Sequence, residues 1–397
     1  MTASWYLTDE RRELQDRARR FAMDEVLPLA NELDPRKADI PRSFLDRMGE
    51  MGLFGITLPT EVGGLGHGVF EYCLVTEELA RGWMSVASII ARAQGMGTQI
   101  GDAERRRELL ERSARGQWIG AAALSEPNAG SDLANVQCRA TRDGDEWVVH
   151  GEKRWCGNAL DADFIQLLAR TRDPEPGERR SAGLAVFVIE KERGSFPDGL
   201  RGEPIDKVGY HGMTTFHLWF DGLRVPEANR LGRGGSSDGG GGERSTFAVT
   251  QSGLNVARVH TAARAIGLAR GALEDCVAYS QERVQFEQPI ASFQAIRFKI
   301  ADMATEIEAA RAFTWQVAQA MDDGHNVEKE AAMAKLLATE MAVRVTGEGI
   351  QIHGGNGYTT ERQVERYWRD ARLTTIFEGT SEIQRRTISD RILGRAG

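Results

Sequence analysis

Hydrophobic periodicity changes twice along this chain, and that double change is the strongest restriction on its fold. From Leu14 through Ala18, Phe21 and Ala22 the apolar positions recur at helical spacing, and Pro28 stands where a helix should end. Helical spacing continues to about residue 115, apart from a glycine-rich turn at Gly63 to Gly68. The middle reads differently. Phe216, Leu218 and Phe220 alternate with Thr215, His217 and Trp219, and LAVFVIE at 184–190 has the unbroken apolar character of a buried strand. Helical spacing then returns. Ile300, Met303, Ile307, Ala310, Thr314, Val317 and Met321 follow steps of three and four along one face of a long helix. Helices and strands that are segregated rather than interleaved predict an α+β chain. The expected parts are a helical domain over 1–118, a β-domain over 119–232 and a helical bundle over 248–397. Between the last two, at 233–247, lies a glycine-rich connection; the run GRGGSSDGGGGER can bury almost no apolar surface and is expected to be a mobile surface linker.

Composition narrows the function. With 397 residues, 41% hydrophobic and 27% charged, the chain has enough apolar material for a buried core without disulfide or metal staples. A net charge of −8 offers no long-range attraction to nucleic acid or anionic lipid. Cys73, Cys138, Cys156 and Cys276 are widely separated with no CxxC pair, which argues against a zinc site or a disulfide framework and for a reducing compartment. No apolar run approaches the roughly 20 residues of a membrane span. MTASWYLTDERRELQ has neither an apolar signal core nor the look of a transit peptide, so cytoplasmic residence is the expectation. There is no repeat of fixed period and no HExxH motif, no GxSxG elbow offers a serine nucleophile, and GGLGHG at 63–68 follows no clear strand, so a dinucleotide-binding fingerprint is rejected.

Five segments carry chemistry. ALSEPNAGSD, Ala123 to Asp132, is read either as a polar turn between strands or as a place where small residues let backbone amides and hydroxyls approach a polar ligand. In GEKRWCGNA, Trp155 is either core or a planar face for a cofactor ring. Asn255 and Arg258 share a helix face, and Arg283 lies about seven turns on, where a guanidinium suits a phosphate. QIHGGNGY, Gln351 to Tyr358, ends a helical pattern with more glycines than a C-cap explains. Glu378, after Ile376 and Phe377 and before Gly379, is either a solvated residue or a general base in apolar company.

Taken in order and at these separations, ALSEPNAGSD, GEKRWCGNA, ERVQF, QIHGGNGY and IFEGTSE make the chain resemble the acyl-CoA dehydrogenase family over nearly its whole length. The resemblance implies an N-terminal helical domain, a β-barrel-like or β-sandwich middle and a C-terminal four-helix bundle, with FAD between the last two. It further implies that Leu124, Ser125 and Ser131 line the flavin and the substrate's path, and that Trp155, Cys156 and Gly157 border the isoalloxazine. Arg283, Phe286, Gln294 and Gln351 to Gly355, including Gly354, would reach the FAD of a neighbouring subunit, with Thr380, Ser381 and Glu382 completing the cofactor site. Asn255, Arg258, Ser131 and Gly379 would meet the substrate. A shared site implies a homodimer or a homotetramer built as a dimer of dimers. Two positions depart from the family pattern: Ser125 replaces a frequent Thr, and Gly157 stands where relatives carry a hydroxyl, so a side-chain bond to the flavin is lost.

The implied reaction is α,β-dehydrogenation of an acyl-CoA or related thioester to the trans-2-enoyl thioester. Glu378 takes the α-proton, FAD takes the β-hydride, and an electron-transfer flavoprotein or similar acceptor reoxidises the flavin. A second family arrangement puts the base just before the equivalent of Arg258, but that residue is Ala257 here. Other activities remain open on such a fold: a flavin-dependent oxidase or monooxygenase, or a non-enzymatic FAD-retaining protein. Arg92, among Ile89, Ile90, Ala91 and Ala93, is read either as a side chain snorkelling to solvent or as a cation that meets a polar or carboxylated acyl tail.

Overall fold

The computed structural model describes residues 6–232 and 246–394, with side chains from 253 onward in the second block. Residues 233–245 of the glycine-rich connection lie outside the described residues, and 246 and 247 already belong to a helix. The N-terminal part holds α1 (Asp9–Phe21), α2 (Leu27–Leu33), α3 (Arg42–Glu50), α4 (Val69–Gly82), α5 (Met84–Ile89) and α6 (Ala103–Ala114). Pro28 does not end the first helix. A π-helical turn at Ala22–Val26 carries the chain from α1 straight into α2, with Pro28 in the first turn of α2, where its missing N–H costs least.

The middle is one curled sheet of seven strands: β1 (Gly120–Ala123), β2 (Arg139–Asp143), β3 (Glu146–Gly157), β4 (Phe164–Arg170), β5 (Leu184–Glu190), β6 (Leu200–Ile205) and β7 (Thr215–Pro226). Their order is β1-β4-β2-β3-β7-β6, with β5 pairing antiparallel to β4. β5 is buried from Leu184 to Ile189, as its apolar run requires. Apolar side chains pack on both faces, Leu167, Phe187 and Leu218 on one and Trp118, Phe164 and Val188 on the other.

The C-terminal part holds α7 (Thr246–Glu282), a short hairpin of β8 (Val284–Gln285) and β9 (Gln288–Pro289), α8 (Gln294–Asp322), α9 (Glu328–His353), α10 (Val364–Thr374) and α11 (Ser381–Leu393). On α8, Met303, Ile307, Ala310, Thr314 and Val317 are buried, and Ile300 and Met321 are half-buried. One apolar core runs without a break from Leu14 through α4 into α7, α8 and α9. At its centre α4 is buried on nearly all sides, including the charged Glu77, Glu78 and Arg81. These charges are paired. Arg270 of α7 meets Glu77 at 3.0 Å and also Glu78, Arg311 of α8 meets Glu77 at 2.9 Å, and Arg81 meets Glu274 at 2.7 Å. Buried carboxylates on α4 thus fasten it to both neighbours, because no other arrangement would repay their desolvation.

Candidate functional site

Strand β3 builds the first wall. Its pairing with β7 slips between Lys153 and Cys156, so one extra residue bulges out of the ladder. Trp155 sits on that bulge with φ 67° and its indole 57% exposed, the Arg154 guanidinium 4.9 Å from the ring centre. Cys156 and Gly157 turn inward and are buried, and burial pushes the Cys156 thiol up to about 12. The turn after β1 is tied to this bulge. Arg154 donates its backbone N–H to the Ser125 carbonyl at 2.8 Å, and the fully buried Lys153 donates to the Leu124 carbonyl and to Glu126 Oε1, both at 2.8 Å. The Glu126 carboxylate also accepts the backbone N–H groups of Gln137 and Cys138, at 2.7 and 2.9 Å. Leu124, Ser125 and Trp155 are therefore brought together, and Ser131 stands exposed further along the turn. Lys153 and Glu126 were not anticipated; an isolated Lys and Glu at the edges of two motifs give no signal that they meet.

The second wall is the bend between α10 and α11. Glu378 and Gly379 both adopt left-handed backbone, φ 53° and 89°. For a glutamate this costs about 1–3 kcal/mol unless its surroundings enforce it. Here Gln384 Nε2 donates to the carbonyls of Glu378 and Gly379, at 3.3 and 2.9 Å, and Lys335 Nζ donates to the Gly379 carbonyl at 2.7 Å. Thr380 caps α11 by accepting the Ile383 N–H at 3.3 Å. Ser381 Oγ is buried without a hydrogen-bond partner among the described residues, and Glu382 is exposed at the helix start. Burial pushes the Lys335 ammonium down to about 8, opposed by the carboxylates of Glu378 and Glu382 and reinforced by the Arg264 and Arg258 cations. Arg258 bonds Asn255 Oδ1 at 3.0 Å, and burial lowers its own pKa. Asn255, Arg258, Lys335, Glu378, Gly379 and Glu382 thus form one neighbourhood. Lys335 and Arg264 went unread in the sequence, although each is a lone cation inside an apolar helical pattern, AMAKLLA and AARAIG.

One chain of contacts joins the walls, and a second ties the bend to α5. Phe377 meets Tyr210 edge to face at 5.9 Å; Lys207 donates to the Tyr210 carbonyl at 2.8 Å and to Thr215 Oγ1 at 3.0 Å; Thr215 pairs with Gly157. On the other side the Arg264 guanidinium lies 4.6 Å from the Phe377 ring centre and donates to Ser88 Oγ of α5 at 2.7 Å.

The remaining expected residues lie elsewhere. Arg283, Phe286, Gln294, Gln351, Gly354 and Gly355 are all exposed at the far end of α7, α8 and α9, Phe286 at 88% with φ 52°. Gln351 is 16 residues beyond Lys335 on α9, about 24 Å along the axis. Within one chain they do not join the Glu378 neighbourhood. Gly357 allows a close approach, since a Cβ there would meet the Ile350 carbonyl at 2.7 Å, whereas open space surrounds Gly354 and Gly355.

The sequence matches the family descriptions for the acyl-CoA dehydrogenase N-terminal domain over residues 8–117, middle domain over 121–223 and C-terminal domain over 246–393. The chain belongs to the acyl-CoA dehydrogenase family. It is 39% identical over 395 residues to the (2S)-methylsuccinyl-CoA dehydrogenase of Cereibacter sphaeroides, covering 98% of this chain and 70% of that one. With the benzylmalonyl-CoA dehydrogenase of Aromatoleum aromaticum it shares 39% identity over 390 residues, 97% of this chain and 98% of that protein. Butyryl-CoA dehydrogenase from Megasphaera elsdenii superimposes with a TM-score of 0.87 at 32% identity, over 98% of this chain and all of that one. The family's group is FAD, and the residues here fit it. An exposed indole on a rigid bulge offers a planar ring a face, and the buried Ser381 hydroxyl lacks a partner that a polar ligand would supply. Among the described residues no group of three or more His, Cys, Asp or Glu side chains is placed to hold a metal, and no helix is long and apolar enough to cross a membrane.

Proposed function

We propose that this acyl-CoA dehydrogenase removes the α-proton of its acyl thioester with Glu378. The observation that carries the reading is the clamped left-handed turn: three hydrogen bonds from Lys335 and Gln384 hold the backbone of Glu378 and Gly379 in a conformation a glutamate avoids. Such enforcement fixes where the carboxylate starts from, which a proton transfer needs. FAD, when bound, supplies the acceptor for the β-hydride. Trp155, Cys156, Gly157, Leu124, Ser125 and Ser131 would border the flavin, with Thr380, Ser381 and Glu382 facing it from α11. Asn255 and Arg258 would orient the thioester arm. Proton loss places negative charge on the thioester oxygen, and a backbone N–H aimed there would stabilise it.

The separation of Arg283, Phe286, Gln294, Gln351, Gly354 and Gly355 from the Glu378 neighbourhood supports a cofactor shared between subunits, hence a homodimer or a homotetramer made as a dimer of dimers. An electron-transfer flavoprotein or similar protein would reoxidise the flavin, and cytoplasmic residence fits the four unpaired, buried cysteines. Two similar proteins, named for methylsuccinyl-CoA and benzylmalonyl-CoA, favour a thioester more polar than a plain fatty acyl chain. The reading is tested by anaerobic mixing of purified holoenzyme with a panel of acyl-CoA thioesters. Bleaching of the flavin by at least one is expected; none would overturn it.

A further inference from the structure

We propose that the acyl group carries a carboxylate and that Arg92 receives it, in space that Gly157 leaves open. The inference rests on the dehydrogenase reading above and names its substrate class.

Arg92 closes a 3-10 turn, Ile90–Arg92, that follows directly from α5. It is half-buried, and its Nε is fully buried with no hydrogen-bond partner among the described residues. No described carboxylate pairs with it either. Elsewhere in the molecule Arg81, Arg270, Arg311 and Arg369 meet carboxylates, and Arg170, Arg258, Arg264 and Arg366 meet carbonyl, amide or hydroxyl oxygens; Arg92 meets neither among the described residues. A guanidinium partly withdrawn from water without a hydrogen-bond acceptor is costly, and a ligand that accepts from it would repay that cost.

Its position supplies one. The guanidinium reaches across to β3: a Cβ at Gly157 would lie 2.9 Å from Arg92 Nη2 and 3.7 Å from Thr215 Oγ1. A side chain at 157 and this placement of Arg92 therefore exclude each other. The glycine that removes a hydroxyl from the flavin's border is also what admits the arginine. Arg92 lies four residues after Ser88, which holds Arg264 over Phe377, and Gly157 is linked through Thr215, Lys207 and Tyr210 to the same Phe377. Both routes end one residue from Glu378.

The corner holds a second cation that is already satisfied. Lys207 shares it, and its ammonium is fully occupied by the carbonyls of Tyr210 and Met213 and the hydroxyl of Thr215. Burial pushes Lys207 down to about 8; Asp39 and Asp370 oppose this, and Arg92 reinforces it. Lys207 is thus spoken for, whereas the planar fork of Arg92 is left to make paired charge-assisted hydrogen bonds to a ligand carboxylate. An acyl group that puts a second carboxylate at Arg92 while its α-carbon meets Glu378 is that of a dicarboxylic monothioester.

The test uses holoenzyme and matched pairs: succinyl-CoA against butyryl-CoA, and glutaryl-CoA against pentanoyl-CoA. Anaerobic flavin bleaching gives the rate, and calorimetric titration of the Glu378→Gln holoenzyme gives affinity without turnover. The dicarboxylic member of at least one pair should be preferred by about ten- to a hundredfold, the worth of one charged hydrogen-bonded contact. Arg92→Met should abolish that preference, Arg92→Lys should keep part of it, and Gly157→Ser should reduce it with Arg92 intact. A wild type without preference in either pair overturns the inference. So does a preference that survives Arg92→Met, or an equal loss on both members of a pair, which would make Arg92 a flavin or folding contact. If Arg92→Met does not fold, the wild-type comparison and Arg92→Lys decide. Absence of bleaching by these four and by longer-chain thioesters would instead overturn the dehydrogenase reading.

Discussion

Arg270 is buried and Arg92 half-buried in the same molecule, and their surroundings are opposite. Arg270 lies in the seam between α4 and α7 and meets Glu77, Glu78 and Glu274. Arg92 lies between α5 and β3 and meets no carboxylate among the described residues. The difference separates two uses of a cation. At Arg270 the chain supplies its own anions and the arginine joins helices; at Arg92 it supplies neither anion nor neutral acceptor among the described residues, and the guanidinium is left for a ligand. Lys335 falls between them, satisfied by a carbonyl and facing two carboxylates that also belong to the site.

The largest effect should come from the paired end of this comparison. Arg270→Met leaves Glu77 and Glu78 short of a partner in a buried seam and should destabilise the protein by about 3–5 kcal/mol in chemical denaturation. Next comes Lys335→Met, which removes one of the bonds holding the Gly379 carbonyl. It should slow flavin bleaching by about tenfold while leaving FAD bound, the scale of a single positioning contact. The same variant carries a pH signature. Lys335 is held at about 8 against an ordinary 10.5, so between those values the unfolded chain binds the proton that the folded protein has lost, and stability rises with pH. Below about 8 both states are protonated and the burial cost is carried in full. Lys191 and Lys207, also at about 8, add to the same rise, so Lys335→Met should shrink it in denaturation curves recorded from pH 7.5 to 10.5.

A smaller effect is expected at Arg283, exposed at the far end of the bundle. Arg283→Ala should weaken FAD retention through gel filtration by removing a phosphate partner, and unchanged retention would take that segment out of the cofactor site. The smallest belongs to the unpaired cation. Arg92→Met should leave the denaturant midpoint of the ligand-free protein unchanged or slightly raised, because no internal ion pair is broken. A loss comparable to Arg270→Met would erase the contrast.

Much of this architecture was legible because burial follows period. The steps of three and four from Met303 to Val317 and the unbroken run of β5 place their residues inside without reference to the rest of the chain. Pro28 misled because a stop signal assumes ordinary α-helix; the π turn before it shifts the register so that proline begins a helix instead. The burial of α4 was invisible for a related reason. Glu77, Glu78 and Arg81 read as a solvated face until their partners from α7 and α8 are known, and those lie some two hundred residues away. At the candidate site the motifs named the backbone segments, but not the side chains that clamp them. Lys335 and Lys153 act on carbonyls of distant segments and Gln384 on carbonyls in the bend just before its own helix, and a hydrogen bond to a carbonyl leaves no trace in the sequence of its acceptor.

The central claim is that Glu378 removes the substrate's α-proton, and one measurement reaches it directly. Wild-type and Glu378→Gln holoenzymes are mixed anaerobically, in single turnover, with a thioester that bleaches the wild-type flavin. The amide keeps the shape of the side chain and removes the proton acceptor, so the variant should retain FAD and bind the thioester while bleaching about two to four orders of magnitude more slowly. Bleaching at the wild-type rate would contradict the claim and move the base to another residue, with Glu382 the first to examine.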